Sequence, residues 1–100
     1  MAYPSFVDLM SLYMGAGLTV KGSLSRAVVQ SDSPVLAEEL NYTLNEIQSG
    51  IPETEGYYRL SNRLALPVYQ KIFTLLSQNI KKGTRDILNL LAEEEAAALQ

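Results

Sequence analysis

The chain contains neither histidine nor cysteine among its 100 residues. Their absence removes the usual zinc ligands, the cysteine–histidine and serine–histidine nucleophile pairs, disulfides and thiol redox chemistry. Without histidine, the serines of the chain have no activating partner. The sequence also lacks a Gly-x-Ser-x-Gly elbow and a P-loop, so no nucleotide site is expected. The serines considered are Ser5, Ser23, Ser25, Ser61 and Ser77. The sequence therefore predicts a protein that is not an enzyme and has no catalytic, cofactor-binding or metal-binding residues.

Long apolar runs and an excess of basic charge are missing as well. No run approaches the roughly 18 apolar residues of a membrane-spanning helix, and Asp8 interrupts a short N-terminal apolar stretch, so neither a span nor a signal peptide is expected. The net charge is −3. Residues 1–92 carry eight basic and eight acidic side chains, and Glu93, Glu94 and Glu95 supply the excess. Nucleic acid is not an expected partner, because its binding needs a basic surface.

What the chain does contain is a series of amphipathic helix patterns. The first two predicted helices cover residues 5–14 and 20–29. Ser33 and Pro34 predict the start of a third, Pro52 that of a fourth and Pro67 that of a fifth. The sixth extends through the helix-favouring run at residues 93–98. No segment alternates with period two, and the connections are short. The predicted fold class is therefore all-α, a six-helix antiparallel bundle built from three helical hairpins.

Three glycines, Gly17, Gly50 and Gly83, lie 33 residues apart, each between two helix patterns. Glycine tolerates the left-handed backbone that ends a helix, and Thr19 and Thr84 have hydroxyls that can cap the next one. A large apolar residue follows each glycine by seven positions: Leu24, Tyr57 and Leu90. The three glycines are predicted to be equivalent corners. If they hold positive φ angles, a β-branched residue at Gly17 or Gly83 should destabilise the domain.

The segment Gly15-Ala16-Gly17-Leu18-Thr19-Val20, followed by Leu24 and Ala27, resembles the signature of the type II secretion F domain. The resemblance extends over Leu9–Ala27, Leu36–Leu60 and Leu75–Leu91, including Lys81-Lys82-Gly83-Thr84, and is closest to the Tad-type branch of the family. Two positions depart from the family pattern. Pro52 stands where a serine or threonine usually caps, and Gly56 stands where alanine is usual.

The resemblance implies the cytoplasmic domain of a bacterial inner-membrane platform protein, from a type II secretion or Tad-type pilus assembly machine. Residues 1–95 would be the helical domain, and residues 96–100 would begin a linker toward transmembrane helices that the sequence does not contain. Such a platform is a non-enzymatic scaffold that couples an assembly ATPase to pilin-like subunits. The implied partners are that ATPase, other platform subunits, pilin-like subunits, the membrane through the missing helices, and further copies of the chain.

The residues expected to matter most are structural: Gly17, Gly50, Gly83, Leu24 and Leu90. Gly22, inside the second helix, is expected to permit close approach of another helix. The basic residues Lys81, Lys82 and Arg85 are a possible partner contact, for an acidic protein face or for lipid head groups, with helix-dipole complementation as the alternative.

Two further residue sets are interpreted as surface or packing features. The paired acids Glu38/Glu39, Glu53/Glu55 and Glu93–Glu95 lack the spacing of a calcium loop, and solvated helix surface is favoured over a site. Tyr13 and Tyr57 lie on apolar faces and are expected in the core, with hydroxyls at its rim. Tyr42, Tyr58 and Tyr69 lie off those faces and are candidates for the surface, where tyrosines favour protein contact. Ordinary half-buried packing is the favoured alternative.

The alternative to a platform domain is a free-standing helical-repeat binding module of the tetratricopeptide kind. The 33-residue spacing is close to the roughly 34 residues of such a repeat, which also uses paired helices. The Trp, Leu-Gly and Tyr consensus of that repeat is missing. A closed bundle and an open solenoid also differ in shape, because the solenoid exposes a concave groove. A small enzyme is the third and least favoured class.

Overall fold

A computed structural model describes residues 6–30 and 33–98. In these ranges the chain forms six α-helices and no strand. They are α1 Phe6–Gly15, α2 Val20–Gln30, α3 Pro34–Gln48, α4 Glu53–Arg63, α5 Pro67–Asn79 and α6 Thr84–Ala98. The all-α prediction and its six helices are confirmed. Ser5, the Ser31-Asp32 part of the predicted turn and residues 99–100 lie outside the described residues, as does the side chain of Glu95.

Two of the predicted helix caps are present. The Ser33 Oγ accepts a hydrogen bond from the Leu36 N–H at 3.2 Å, with Pro34 in the first turn of α3. Thr19 Oγ1 accepts from the Gly22 N–H at 3.0 Å and so caps α2. These side chains satisfy backbone donors that the first turn of a helix leaves unpaired. At α4 the cap position is occupied by Pro52, which provides no side-chain hydrogen bond.

The prediction that Thr84 caps α6 is wrong. Thr84 is the first residue of the helix, and the Gly83 carbonyl before it accepts from the Asp86 and Ile87 N–H groups at 3.1 and 3.3 Å. Gly83 therefore occupies the cap position, where glycine is among the preferred residues.

The three glycine corners are not equivalent. Gly17 and Gly50 have φ angles of 105° and 120°, and these are the positive-φ glycines among the described residues. Both end a helix in a Schellman motif. The Leu18 N–H reaches the Tyr13 carbonyl at 3.1 Å and the Gly17 N–H reaches that of Met14 at 3.0 Å.

The Gly50 corner repeats this pattern. The Ile51 N–H bonds to the Glu46 carbonyl at 3.0 Å and the Gly50 N–H to that of Ile47 at 3.1 Å. Gly83 has no positive φ. The turn after α5 is instead closed by the Lys82 N–H, which donates to the Asn79 carbonyl at 2.9 Å. The expectation that Gly83 matches the other two is therefore wrong, and with it the reason for strain in a β-branched substitution there.

The six helices pack as a closed ring. Each helix contacts the next along the chain, and α6 also contacts α1, which closes the bundle. The pairs α1/α2, α3/α4 and α5/α6 form the predicted hairpins, while α4/α5 make the most extensive contact. The radius of gyration, 12.5 Å, is close to that of a compact 100-residue domain, about 13 Å. None of the described helices has the length and apolar character that crossing a membrane would require.

The core takes side chains from every helix. Its largest fully buried members are Tyr57, Phe73, Met10, Leu24, Leu40, Leu60 and Ile72. The Phe6 ring joins α1 to α5, with its centroid 5.7 Å from that of Phe73 and 5.9 Å from that of Tyr69. Leu24 is fully buried as expected, but Leu90 is only half-buried. Ile87 and Leu91 fill the core from α6 instead, because they share its inner face at i and i+4.

Close helix approach occurs at Gly56 and not at Gly22. A Cβ on Gly22 would meet Thr19 Oγ1 at 3.2 Å and the Leu18 side chain at 3.8 Å, both in the preceding turn. A Cβ on Gly56 would lie 2.9 Å from Ile47 Cγ1 and 3.6 Å from Thr43 Cγ2, both on α3. The expectation for Gly22 is therefore wrong. Gly56, the departure from the family pattern, lets α4 approach α3.

Candidate functional site

The three predicted corners lie at one end of the bundle, around an open cleft of about 240 Å³. The α1–α2 corner contributes Met14, Thr19 and Val20 to the cleft. Glu53, three residues after Gly50, adds the start of α4. The α5–α6 corner contributes Ile80, Lys82, Thr84 and Ile87. We call this site the corner cleft. Sequence spacing predicted the corners, but only the packing shows that all three border the same open cleft.

The predicted contact residues Lys81, Lys82 and Arg85 all lie at this end and are exposed. Lys82 lines the corner cleft, and Lys81 precedes it in the same turn. None of the three forms an ion pair with a described residue. Lys21, in the first turn of α2, is also exposed and also lacks an ion pair within the described part of the chain. The role of this basic surface in binding stays a prediction.

Glu53 links the cleft to the core. Its Oε2 accepts a hydrogen bond from the Tyr57 hydroxyl at 2.9 Å, one helical turn further along α4. The Tyr57 ring is fully buried, so the predicted core position is confirmed. Burial raises the pKa of the Tyr57 hydroxyl above its ordinary value, and the negative charge and hydrogen bond of Glu53 raise that pKa further. Tyr57 therefore stays protonated and acts as a donor that orients Glu53.

A second site, which sequence reasoning missed, lies between α3 and α4. Arg63 Nε donates to Glu39 Oε2 at 2.6 Å and Arg63 Nη2 donates to the buried Thr43 hydroxyl at 2.8 Å. The guanidinium also stacks over the exposed Tyr42 ring, 4.8 Å from its centroid. These contacts join residues 20 to 24 positions apart in sequence. No local spacing rule would have paired them.

Arg59 extends this network along the two helices. It bonds to Glu55 at 3.0 Å and to Glu46 at 3.2 Å, and these bonds, with Glu55 first, raise the pKa of the guanidinium. Glu46 Oε1 is buried, has no hydrogen-bond partner within the described part of the chain, and lies 3.8 Å from Arg63 Nη1. Arg59 pairs with position 46 and Arg63 with position 39, so α3 and α4 run antiparallel. The Glu55–Arg59 pair, at i and i+4, is the one part of the network that sequence could have indicated.

The predicted acidic pairs thus have different surroundings. Glu38 and Glu93 are exposed, Glu39 and Glu55 form ion pairs with arginines, and Glu53 accepts from Tyr57. Glu94 bonds to Lys71 Nζ at 3.1 Å and ties the end of α6 to α5. Within the described residues, no group of three acidic side chains is arranged to hold a metal ion. Two of these acids, Glu39 and Glu94, therefore join helices, which is more than solvated surface.

The remaining tyrosines and serines are mostly used in packing. Tyr42 and Tyr58 are exposed, so the favoured half-buried packing is wrong for these two, whereas Tyr13 and Tyr69 are half-buried against the core. Three serines donate to carbonyls of their own helices: Ser25 to Lys21, Ser61 to Tyr58 and Ser77 to Thr74. Ser23 is fully buried on α2, and its hydroxyl has no hydrogen-bond partner among the described residues.

The chain was compared with protein-family models, with curated proteins and with solved structures, and no match was found in any of the three comparisons.

Proposed function

We propose that this chain is the cytoplasmic domain of a bacterial inner-membrane platform protein, of the type II secretion or Tad-type pilus assembly kind. The observation that carries the proposal is the Gly-Ala-Gly-Leu-Thr-Val corner with Leu24 and Ala27, in a six-helix bundle. Gly17 ends α1 in that corner, Thr19 caps α2, and Leu24 and Ala27 are both fully buried. Four residues of the motif thus have structural uses that agree with the sequence pattern.

The proposed role is that of a scaffold, which moves as a unit and makes or breaks no bond. A domain that transmits force between an assembly ATPase and pilin-like subunits must resist shear between its helices. The ring closure of α6 on α1, the arginine network between α3 and α4 and the Lys71–Glu94 pair all oppose such shear. Packed helices held in this way carry displacement as one body.

The basic surface of the corner end is the proposed contact with the ATPase, through Lys81, Lys82 and Arg85. Other platform subunits, further copies of the chain and pilin-like subunits are the other proposed partners. The membrane would be reached through helices beyond residue 100. Unpaired basic side chains at an exposed turn suit recognition of an acidic protein surface, because they need not give up an internal ion pair.

The helical-repeat alternative is not favoured by the packing. In a solenoid each repeat contacts only its neighbours, and the first and last helices stay apart. Here α6 packs on α1, which removes the open concave face that a repeat module uses for binding.

The proposal is tested in the source bacterium. The gene should encode hydrophobic spans after the codon of Gln100, and its deletion should abolish pilus assembly or secretion. Complementation with a chain carrying Lys81→Glu and Lys82→Glu should fail, while a matched Arg26→Glu chain on exposed α2 surface should restore assembly. A gene without such spans, or a deletion strain that assembles and secretes normally, would contradict the platform role.

A further inference from the structure

The basic side chains of the protein fall into two groups by their partners. Arg59, Arg63 and Lys71 all form ion pairs on the sides of the bundle. The unpaired ones within the described residues are Lys21, Arg26, Lys81, Lys82 and Arg85. Four of these five lie at the corner end, in the first turn of α2, the α5–α6 turn and the first turn of α6. Positive charge without internal compensation is therefore concentrated at one end.

Negative charge at this end does not neutralise the cluster. Glu53 lines the corner cleft, and its carboxylate already accepts the Tyr57 hydroxyl. Asp86 lies beside Arg85 in the first turn of α6 and has no ion pair with a described residue. Glu46 and Glu55 also lie at this end, and both form ion pairs with Arg59. The side chains of this end that have no ion pair with a described residue are therefore four basic and two acidic ones.

The corner cleft adds an apolar floor to this basic rim. We call the four apolar residues of its lining the floor: Met14, Val20, Ile80 and Ile87. Ile80 is half-buried and is the most accessible of the four. The rest of the lining is polar and consists of Thr19, Glu53, Lys82 and Thr84. A volume of about 240 Å³ corresponds to several water molecules at roughly 30 Å³ each, enough for one apolar side chain. An apolar floor below a basic rim is suited to a ligand with an apolar group flanked by negative charges.

We propose that the corner cleft docks an acidic polypeptide segment, which inserts one apolar side chain against Ile80 and places its carboxylates against Lys82, Lys81, Arg85 and Lys21. The inference rests on the proposed function, since it specifies the chemistry of the partner for the same basic residues. Charge complementarity selects an acidic segment, and the accessible part of Ile80 in the open cleft selects an apolar side chain. A flat anionic surface would use the rim and leave the floor empty.

The test uses the full 100-residue chain and three probes: a labelled peptide of glutamates flanking a leucine, the same peptide with the leucine replaced by glycine, and anionic lipid vesicles. Fluorescence anisotropy at low salt measures peptide binding, and amide chemical shifts locate it. The acidic peptide should change the amide chemical shifts of residues 14–20 and 80–87. Lys82→Glu should weaken its binding on the order of tenfold, which is about 1.4 kcal/mol. Arg26→Glu is the matched control and should bind like the parent chain.

The glycine peptide should bind less tightly than the leucine peptide, because it leaves the floor unfilled. Thermal melts of each variant check that it is folded. The proposal is overturned if the acidic peptide does not bind, if Lys82→Glu and Arg26→Glu weaken binding equally, or if the shifts map to α3 and α4. Binding to vesicles without binding to the peptide also overturns it. Peptide binding can fail while the gene-deletion result stands, so the two proposals are distinguishable.

Discussion

Gly17 and Gly50 hold backbone angles that other residues rarely adopt, whereas Gly83 does not. A Cβ at any of the three would have no neighbour within 4 Å among residues 6–30 and 33–98, so crowding cannot distinguish them. The difference lies in the backbone alone. Gly17 and Gly50 end helices with positive φ, and Gly83 occupies the cap position before α6.

Serine substitution should separate the two situations. Gly17→Ser and Gly50→Ser should each lower the free energy of unfolding by about 1–3 kcal/mol, because a side chain at positive φ is strained. Gly83→Ser should leave it unchanged or raise it slightly, because serine is a preferred helix cap. Urea denaturation of the three variants measures this. Equal losses at all three positions would show that the corners are equivalent after all.

Tyr57 makes the free energy of unfolding depend on pH in the alkaline range. Its raised pKa means that the folded protein keeps the phenolic proton above pH 10, while the unfolded chain, with an ordinary pKa near 10, loses it. The stability from this group is therefore fully present below about pH 10 and is lost progressively as pH rises further.

Tyr57→Phe should remove the fall in the free energy of unfolding above about pH 10 that this hydroxyl causes. At neutral pH the variant should be less stable by about 1 kcal/mol, because the hydrogen bond to Glu53 is missing. Tyr58→Phe, on the exposed side of the same helix, is the matched control and should retain the parent pH dependence. Urea denaturation from pH 7 to pH 11 provides the comparison. A parent-like alkaline slope in Tyr57→Phe would refute the assignment.

At the scale of helices, the α3–α4 contact combines close packing with charge. Gly56 brings α4 onto Ile47 and Thr43, and Arg63 joins Glu39, Thr43 and the Tyr42 ring. Helix propensity alone would favour alanine over glycine at position 56 by about 1 kcal/mol. The contact distance reverses this preference for alanine. A Cβ 2.9 Å from Ile47 Cγ1 would force the Ile47 side chain or the helix backbone to move.

Gly56→Ala should therefore destabilise the domain, by about 1–2 kcal/mol after the gain in helix propensity. The second variant, Gly56→Ala with Ile47→Ala, removes the clashing atoms. Its loss of unfolding free energy should be smaller than the sum of the losses in the two single variants. The double-mutant cycle measures this coupling. Additive effects would mean that α3 and α4 are not in close contact at this position.

At the scale of the whole molecule, closure of the ring makes α6 part of the core. Ile87 and Leu91 are buried, and burying each such side chain contributes about 1.5–3 kcal/mol. A domain of this size has a total stability of only about 5–15 kcal/mol. An open solenoid would tolerate the loss of its last helix far better, because its repeats depend on their neighbours alone.

A chain that ends after Lys82 should therefore lose cooperative unfolding, whereas a chain that ends after Glu94 keeps the buried α6 side chains and should unfold cooperatively. Circular dichroism and amide spectra of the two truncations test this. A shortened chain without α6 that still melts cooperatively near the parent temperature would argue for independent hairpins.

Local features of the chain were predictable from sequence, because they depend on residues a few positions apart. The helix faces, the Ser33 and Thr19 caps and the positive-φ glycines at Gly17 and Gly50 are of this kind. The same reasoning failed at the α5–α6 corner. The residue pattern there resembles that of the α1–α2 corner, but the residue that caps the next helix is Gly83 and not Thr84. The basic residues of the candidate site could be named in advance, but not the cleft that they border.

The sequence by itself determined an all-α chain with six helices and short connections, because apolar periodicity and capping act over single turns. Only the tertiary structure decided which glycine permits helix contact, which residues of α6 enter the core, and how Arg63 is paired. It also decided that the corners surround one cleft. Those outcomes depend on contacts between residues distant in sequence, and helix periodicity carries no information about which faces will meet.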